Sequence, residues 1–323
     1  MKTQSGDHLK VGLAQISPVW LNKKLTLEKV SSFVDMAGSE GCDLVVFGEG
    51  LVPGYPFWLG LTDGAKFNDP IQKDIHAHYI RNAVEIEKGD LDRICELASK
   101  WQLGIYLGTI ERAQDRGNHS LYCSLVYIDT TGAIRSVHRK LRPTYEERLA
   151  WAPGDGHGLQ VHALKAFTVG GLNCWENWMP MPRMALYGQG ENLHVAVWPG
   201  SVHNTEDITR FIAKEARSYV ISVSGLMTRH DFPFDTPHLD RILAQAPEHL
   251  TNGGSCLAGP DGQWIIEPVL HEECLRTAEI DINRVLEERQ NMDLSGHYSR
   301  PDVLKLMINR ERQSVVGFQD PEK

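Results

Sequence analysis

Residues 167–180 read F-T-V-G-G-L-N-C-W-E-N-W-M-P, and they combine a strand-like run with a reactive side chain. The apolar first half predicts a buried strand that ends at Asn173, where polar residues begin. Cys174 would then lie on a tight turn out of that strand, with its thiol held toward solvent and the next backbone N–H groups facing whatever it attacks. That geometry suits covalent catalysis. A small buried core residue is the alternative interpretation of any free cysteine.

Charged residues follow two other predicted strands. Glu49 comes in V-V-F-G-E-G, just past an apolar strand, and residues 138–151 read H-R-K-L-R-P-T-Y-E-E-R-L-A-W. In that second segment Lys140 ends a predicted strand, Pro143 forces a loop, and Glu147 lies within the loop. The ends of separate strands can converge at one edge of a sheet, where a carboxylate, an ammonium and a thiol would meet. Taken singly, each charged side chain is more typical of a solvated surface.

These motifs resemble those of the nitrilase family within the carbon–nitrogen hydrolases. The similar blocks are F-G-E at residues 47–49, H-R-K-L-R-P-T at 138–144, E-R-L-A-W at 147–151 and C-W-E-N-W-M-P at 174–180. They occur in the family's order, and the similarity extends from about residue 11 to residue 302. The resemblance implies a catalytic set of Glu49, Lys140, Glu147 and Cys174, with Cys174 as the nucleophile.

Within this set, each residue would have its own task in the hydrolysis of a nitrile. Glu49 would take the thiol proton as general base, and Lys140 would stabilise charge on the nitrile nitrogen together with the backbone N–H of Trp175. The attack gives a thioimidate, which water converts through a thioester to the carboxylic acid and ammonia. The family pattern P-T-x-x-E-R selects Glu147 over Glu146 as the partner that orients Lys140, and Glu146 is expected to be solvated. This scheme needs no metal and no organic cofactor.

The candidate substrate-binding residues lie close to the catalytic motifs in the sequence or on a neighbouring loop. They are Tyr55, Thr144, Trp151, Trp175 and Pro199. Trp175 would supply a flat apolar wall that suits an aromatic or arylaliphatic nitrile as the small-molecule partner. The loop L-V-P-G-Y-P-F-W-L-G-L at residues 51–61 carries Phe57 and Trp58. Because an exposed aromatic loop is costly, these two side chains should cover either a substrate pocket or a subunit contact.

Other functions stay open at this stage. Amidases and carbamoylases of the same fold use similar Glu, Lys and Cys residues, and some close relatives convert cyanide. The residues 175–177 that follow the cysteine favour a nitrilase. A non-catalytic scaffold is the alternative from a different class, and the intact catalytic set speaks against it. Neither His138 nor His203 has comparable support as a partner of Cys174, and a surface or core position is expected for both.

The composition argues against several classes of partner and site. The chain has 323 residues, 33 Lys plus Arg and 42 Asp plus Glu, so its net charge of −9 disfavours a nucleic-acid or anionic-membrane partner. No basic and apolar signal region precedes residue 11, and no apolar run approaches the roughly 20 residues that span a bilayer, so a cytoplasmic protein is expected. The six cysteines lack C-x-x-C spacing, which indicates neither a zinc site nor a disulfide framework. The five besides Cys174 are expected in or beside the core: Cys42, Cys95, Cys123, Cys256 and Cys274.

Strands and helices alternate along the chain. Strands are predicted at residues 10–19, 43–47, 104–110, 124–129, 133–138, 192–198, 220–224 and 275–282, with a hairpin at 254–268. Helices are predicted at residues 27–37, in two pieces between 69 and 101, at 205–219 and from 285 onward. Asp90 is the predicted N-cap of one helix, and Phe211 is placed on the buried face of another.

This alternation predicts an α/β fold with a mixed sheet covered by helices. The resemblance sharpens the prediction to the four-layer α-β-β-α sandwich of the carbon–nitrogen hydrolases. One domain over residues 1–323 is expected, with a short C-terminal tail from about residue 291. Since members of the family pair through helices on one outer face, the resemblance also implies a homodimer or a higher homo-oligomer.

Overall fold

The computed structural model describes residues 6–317 and residue 319. The strands are β1 His8–Gln15, β2 Leu44–Phe47, β3 Gly104–Arg112, β4 Leu121–Ile128, β5 Ile134–Arg139, β6 His162–Leu164, β7 Phe167–Asn173, β8 Leu193–Trp198, β9 Tyr219–Ser224, β10 Leu226–Thr228, β11 His249–Ala258, β12 Trp264–Leu270 and β13 Cys274–Asp281. The helices are α1 Lys23–Ser39, α2 Trp58–Leu61, α3 Pro70–Asn82, α4 Asp92–Trp101, α5 Pro180–Tyr187, α6 Glu206–Ala216, α7 Leu239–Gln245 and α8 Ile282–Arg289. Among these helices none is both long and apolar enough to cross a membrane.

The strands form two mixed sheets. The first sheet has the strand order β13-β1-β2-β3-β4-β5, and the second has the order β10-β11-β9-β8-β7-β6, with β12 paired to β11. Strands β1, β2 and β3 run parallel to one another, as do β7, β8 and β9. In each sheet, therefore, the carboxyl ends of several strands come out at the same edge.

The side chains of the central strands are buried on both faces because each sheet lies between two layers. In β2, Leu44 and Val46 pack between the sheets with Val195 of the second sheet, whereas Val45 and Phe47 pack against helices α1 and α4. The outer face of the second sheet is covered by α5 and α6, whose apolar residues pack on β8 and β9. The order of layers is helix, sheet, sheet, helix, which confirms the predicted sandwich.

Two local predictions were wrong. Phe211 is 49% exposed, because the buried stripe of α6 runs through Ile208 and Ile212 and leaves Phe211 at its margin, under the guanidinium of Arg183. The N-cap of α4 is Leu91 instead of Asp90, since the Asp90 carboxylate accepts the backbone N–H of residue 85 and pairs with residue 23.

The two rings of the aromatic loop, Trp58 and Phe57, are buried to different degrees. Trp58 is 1% exposed, and it lines a cavity together with Leu59 and Gln72, separate from the space beside Glu49. Its ring lies 6.3 Å from that of Trp20 and 4.7 Å from that of Tyr79, so the loop folds back to complete a core of this same chain. Phe57 is half-buried, with its ring 4.9 Å from that of Tyr55.

Candidate active site

Three strand ends meet at one place between the two sheets. Glu49 follows β2, Lys140 follows β5 of the same sheet, and Cys174 follows β7 of the other sheet. The backbone N–H of Glu49 donates to the carbonyl of Trp198 at the end of β8, at 3.2 Å, and so ties the two sheets together at this edge. Gly108 of β3 permits this arrangement, because a Cβ at that position would lie 2.8 Å from the Cα of Glu49.

Cys174 sits on a sharp turn, as the sequence predicts, but the residue is 3% exposed, so the prediction that its thiol is held toward solvent was wrong. Its φ is +45°, a left-handed value that is uncommon for a residue with a side chain and costs about 1–3 kcal/mol. The Asn177 side chain stabilises this conformation, since its Nδ2 donates to the carbonyl of Cys174 at 2.8 Å. Asn177 Oδ1 in turn lies 2.8 Å from His194 Nε2, and Nδ1 of that ring lies 3.0 Å from the carboxylate of Glu191. All four side chains are buried.

Glu176 connects this turn to the loop that carries the lysine, and it was missed by the sequence analysis. Its buried carboxylate accepts the backbone N–H of Asn173 at 2.9 Å and that of Leu141 at 2.6 Å, and it lies 3.0 Å from His138 Nε2. Asn173 directly precedes Cys174, and Leu141 directly follows the lysine. The available sequence signal was that Glu176 is the one charged residue in C-W-E-N-W-M-P. His138 is a core residue, one of the two positions expected for it.

A buried ammonium bridges two buried carboxylates beside the thiol. Lys140 Nζ lies 2.7 Å from Glu49 Oε1 and 2.8 Å from Glu147 Oε2. Glu147 also accepts the Tyr55 hydroxyl at 3.0 Å and the backbone N–H of Thr144 at 2.6 Å. The carboxylate of Glu147 is therefore fully engaged in holding the lysine, whereas Glu49 Oε2 has no hydrogen-bond partner within the described part of the chain.

The thiol of Cys174 lies near both carboxylates. One carboxylate oxygen of Glu49, one of Glu147 and the Sγ of Cys174 all lie within 4.8 Å of one another. This spacing would also permit a metal ion, but Lys140 already places a positive charge between the two carboxylates, where it would repel a metal cation. The described atoms therefore form a compact set of two carboxylates, an ammonium and a thiol.

Burial shifts the acid–base properties of this set. It raises the pKa of Glu49 to about 7, against the opposing effect of Lys140, and the charge of Glu147 adds to the increase. Burial also holds the pKa of the Cys174 thiol well above its usual range. The pKa of Lys140 lies well above its ordinary value, because Cys174 and the two carboxylates outweigh the effect of burial. The resting site thus pairs a neutral thiol with a carboxylate that can accept a proton near neutral pH.

The predicted substrate-binding residues lie around this set in different ways. Trp151 is buried, with its ring 5.6 Å from Lys140 Nζ and edge-on to Tyr55 at 5.6 Å. Tyr55 and Thr144 contact Glu147, the latter through its backbone N–H. These three residues surround the charged groups at hydrogen-bond and packing distance.

The two remaining candidates border open space. Pro199 lines a cavity of about 20 Å³, together with Glu49, Tyr55 and Phe57. Trp175 is 56% exposed, directly beside the buried Cys174 in the chain. Trp175 does not line the small cavity beside Glu49, so its place near the site is given by its position next to Cys174 in the chain.

Comparison with known sequences finds a family model and several related proteins that match most of this chain. The family model for carbon–nitrogen hydrolases matches residues 10–290. "Nitrilase 2" from an unidentified prokaryote is 35% identical over 311 residues, which is 96% of this chain and 95% of the relative. "Nitrilase 2" of Arabidopsis thaliana is 33% identical over 97% of this chain and 92% of its own. "Aliphatic nitrilase" of Rhodococcus rhodochrous is 31% identical over 95% of this chain and 84% of its own.

Comparison with solved structures gives the same fold. A carbon–nitrogen hydrolase from Helicobacter pylori G27 superimposes with a TM-score of 0.68 at 20% identity, covering 91% of this chain and 96% of the other. The C. elegans NitFhit protein superimposes with a TM-score of 0.69 at 16% identity, over 97% of this chain and 70% of the other. At these identities, the likeness supports the four-layer sandwich alone.

Proposed function

Because this chain belongs to the carbon–nitrogen hydrolases, and among them to the nitrilases, we propose that it hydrolyses a nitrile to the carboxylic acid and ammonia, with Cys174 as nucleophile. The observation that carries the proposed residue roles is the buried set of three groups around one ammonium. Lys140 lies within 2.8 Å of both carboxylates, and both carboxylates lie within 4.8 Å of the Cys174 sulfur. A thiol, a base and a fixed cation are the groups that covalent hydrolysis of a polar triple bond requires.

The first step is addition of the thiol to the nitrile. Glu49 Oε2, which is free of other hydrogen bonds in the described structure, takes the proton of Cys174 as the sulfur forms a bond to the nitrile carbon. One electron pair of the triple bond moves to the nitrogen, which then receives that proton from Glu49. Lys140 stabilises the charge that develops during this transfer. The product is a covalent thioimidate.

Two water molecules complete the reaction. The first adds to the thioimidate carbon with Glu49 as base; the carbon–nitrogen bond then breaks and ammonia leaves, giving a thioester. The second water attacks the thioester, and the sulfur leaves as the restored thiol of Cys174. The cavity of about 20 Å³ beside Glu49 has room for about one water molecule, which suits this role of the base.

The proposed substrate class rests on the exposed indole of Trp175, next to Cys174 in the chain. The enclosed space at Glu49 has a volume of about 20 Å³ and would hold little of a substrate, so we place the remainder of the substrate against the exposed indole of Trp175, which adjoins Cys174 in the chain. A half-exposed indole stacks well with a flat apolar ring. Aromatic or arylaliphatic nitriles are therefore the proposed substrates, with Tyr55, Thr144, Trp151 and Pro199 as the inner boundary.

Release of ammonia from a panel of nitriles tests the function. Phenylacetonitrile, benzonitrile, an aliphatic dinitrile and the matching amides would each be incubated with the protein, and acid, amide and ammonia would be quantified. Turnover of at least one nitrile to acid is expected; turnover of amides alone would replace the proposal with an amidase. Cys174→Ala should abolish turnover while the circular dichroism spectrum stays that of the wild type. Cys95→Ala, at a half-buried cysteine on α4, is the matched control.

The assembly and location are also part of the proposal. The outer helical layer carries the exposed apolar side chains Trp178, Met181 and Phe211, which would be covered in a homodimer or a higher homo-oligomer.

Six free cysteines in the described chain are compatible with the reducing cytoplasm. Residues 1–323 would form one domain. Sedimentation velocity at several protein concentrations tests the proposed homo-oligomer, and a monomer at every concentration would contradict that proposal.

A further inference from the structure

A second buried cysteine touches the proposed base. Cys123 lies on β4, opposite Ile110 of β3, and is 1% exposed. Its thiol donates to Glu49 Oε1 with a sulfur–oxygen distance of 3.3 Å, and its carbonyl accepts the backbone N–H of Lys140 at 2.7 Å. One residue of the first sheet therefore contacts both the carboxylate and the residue that carries the ammonium.

This contact divides the two oxygens of Glu49 between different tasks. Oε1 accepts from Lys140 Nζ at 2.7 Å and from the Cys123 thiol. Oε2 is buried and has no hydrogen-bond partner among the residues that the structure describes. Two donors on one oxygen fix the rotation of the carboxylate, so that the unengaged oxygen stays available for a proton.

We propose that Cys123 is a positioning residue for Glu49: its thiol fixes Oε1, orients Oε2 for proton transfer and stabilises the charged form of the base. This inference rests on one part of the proposed function, the role of Glu49 as the base that accepts the proton of the Cys174 thiol. It assigns Cys123 no bond to the substrate, because its Sγ is directed at the carboxylate in a fully buried position.

The chemistry of a thiol in this place favours a donor over a second nucleophile. Burial, followed by the charge of Glu49, holds the pKa of Cys123 well above its usual range, so the group keeps its proton. A thiol is a weak hydrogen-bond donor, and a hydroxyl at the same position would be a stronger one. Loss of the donor destabilises the ionised carboxylate, which raises the pH at which the base becomes available.

Two variants separate donation from packing. In Cys123→Ser a donor remains, and in Cys123→Ala it is lost. We expect the acid-side midpoint of kcat/KM against pH to rise by about half a pH unit in Cys123→Ala, because a bond from a weak donor to a charged group is worth less than a full charge-assisted one. This corresponds to a loss of about threefold at pH values well below the midpoint and little change above pH 8. In Cys123→Ser the midpoint should equal or fall below that of the wild type.

Cys256→Ala is the matched control. Cys256 is also fully buried, on β11 of the other sheet, and its sulfur contacts the Thr209 hydroxyl at 3.6 Å, away from the charged set. The same loss of volume there should leave the midpoint unchanged. If Cys123→Ala does not fold, the comparison of Cys123→Ser with the wild type still tests the inference, since a midpoint above that of the wild type would overturn it.

A second readout is independent of nitrile turnover. The rate at which iodoacetamide alkylates Cys174, followed by mass spectrometry from pH 5.5 to 9, depends on the same base and should show the same order of midpoints. If the wild type hydrolyses nitriles but the midpoints of all variants coincide in both measurements, Cys123 only fills space and the inference is wrong. If the wild type hydrolyses no nitrile while the alkylation midpoints follow the expected order, the proposed function fails and the positioning role stands.

Discussion

Replacement of Glu176 by Gln would test whether one buried carboxylate holds together the turn at Cys174 and the loop that follows Lys140. The carboxylate of Glu176 accepts from Asn173 on one oxygen and from Leu141 on the other, and it also contacts the ring of His138. Burial opposes ionisation of this group, but His138 and the two backbone N–H groups lower its pKa below the ordinary value. The ionised form, which only accepts hydrogen bonds, thus fits the site.

The expected loss in the free energy of unfolding follows from the number of hydrogen-bond donors that Glu176 satisfies. A glutamine amide keeps one accepting oxygen and places an NH₂ group opposite either the N–H of Leu141 or that of Asn173, so at least one buried donor loses its partner. An unsatisfied buried donor costs about 1–3 kcal/mol, and loss of the charge from the remaining bonds adds to this, for a total of about 2–4 kcal/mol of the free energy of unfolding. Because the whole free energy of unfolding of a typical protein is about 5–15 kcal/mol, this loss is a large fraction of the stability.

The same change should slow catalysis. Since Asn173 precedes Cys174 and Leu141 follows Lys140, a loosened contact at Glu176 would move the thiol of Cys174 relative to the ammonium of Lys140. A misplacement of the order of 1 Å costs up to about 100-fold in rate, so kcat should fall about 10- to 100-fold with a smaller change in KM.

Urea denaturation at fixed protein concentration measures the stability, and ammonia release measures kcat. Glu96→Gln is the control, because Glu96 pairs with Arg93 at the surface with its side chain 67% exposed. Its free energy of unfolding should stay within about 0.5 kcal/mol of the wild type. A Glu176→Gln protein with the wild-type denaturation midpoint and the wild-type kcat would refute the reasoning.

Three further predictions concern the base and its neighbours. Gly108→Ala should lower both kcat and stability, because its Cβ would lie 2.1 Å from the backbone oxygen of residue 48 and displace Glu49; Gly60→Ala, with no heavy atom within 4 Å of the new Cβ, is the control. The kcat/KM value should increase with pH through about 7, because the raised pKa of Glu49 leaves it protonated and unable to accept a proton below that value; a pH profile that is flat from 5.5 to 8.5 would contradict this. Tyr55→Phe removes one donor to Glu147 and should lower kcat about tenfold in the ammonia assay, as expected for loss of a hydrogen bond to a charged group; an unchanged kcat would remove Tyr55 from the site.

The strand ends were predictable from local sequence, because apolar runs that stop at polar residues mark them. Cys174 follows β7 and Glu49 follows β2, as the pattern indicated. That the two residues meet follows from strand order and from the packing of one sheet on the other, which periodicity does not contain. The resemblance to a family supplied this long-range part of the prediction.

The contacts that Glu176 and Cys123 make around the charged groups could not be predicted from local sequence. Glu176 and His138 are 38 positions apart, and Cys123 and Glu49 are 74 apart, so each pair exists only once the strands are in place. Cys123 looked like any core cysteine, and its position in the core was correct. Its contact with a carboxylate depends on which face of β4 looks toward the other sheet. The prediction of a buried Phe211 was wrong for a related reason, since the elements that pack against a helix decide which of its apolar residues are buried.

Under the proposed mechanism, the charges of the site make the ammonium of Lys140 as important as the carboxylate of Glu49. Lys140 and Glu147 compensate each other, and Glu49 adds a further buried carboxylate beside the Cys174 thiol. Transfer of the thiol proton to Glu49 moves a negative charge from oxygen to sulfur without adding to the total buried charge, so no new desolvation penalty arises. Burial raises the pKa of both groups, which makes the carboxylate a better base and the thiol a weaker acid. The carboxylate alone would therefore not generate the thiolate; the ammonium of Lys140 must stabilise it, which requires the ends of β5 and β7 to meet although they belong to different sheets.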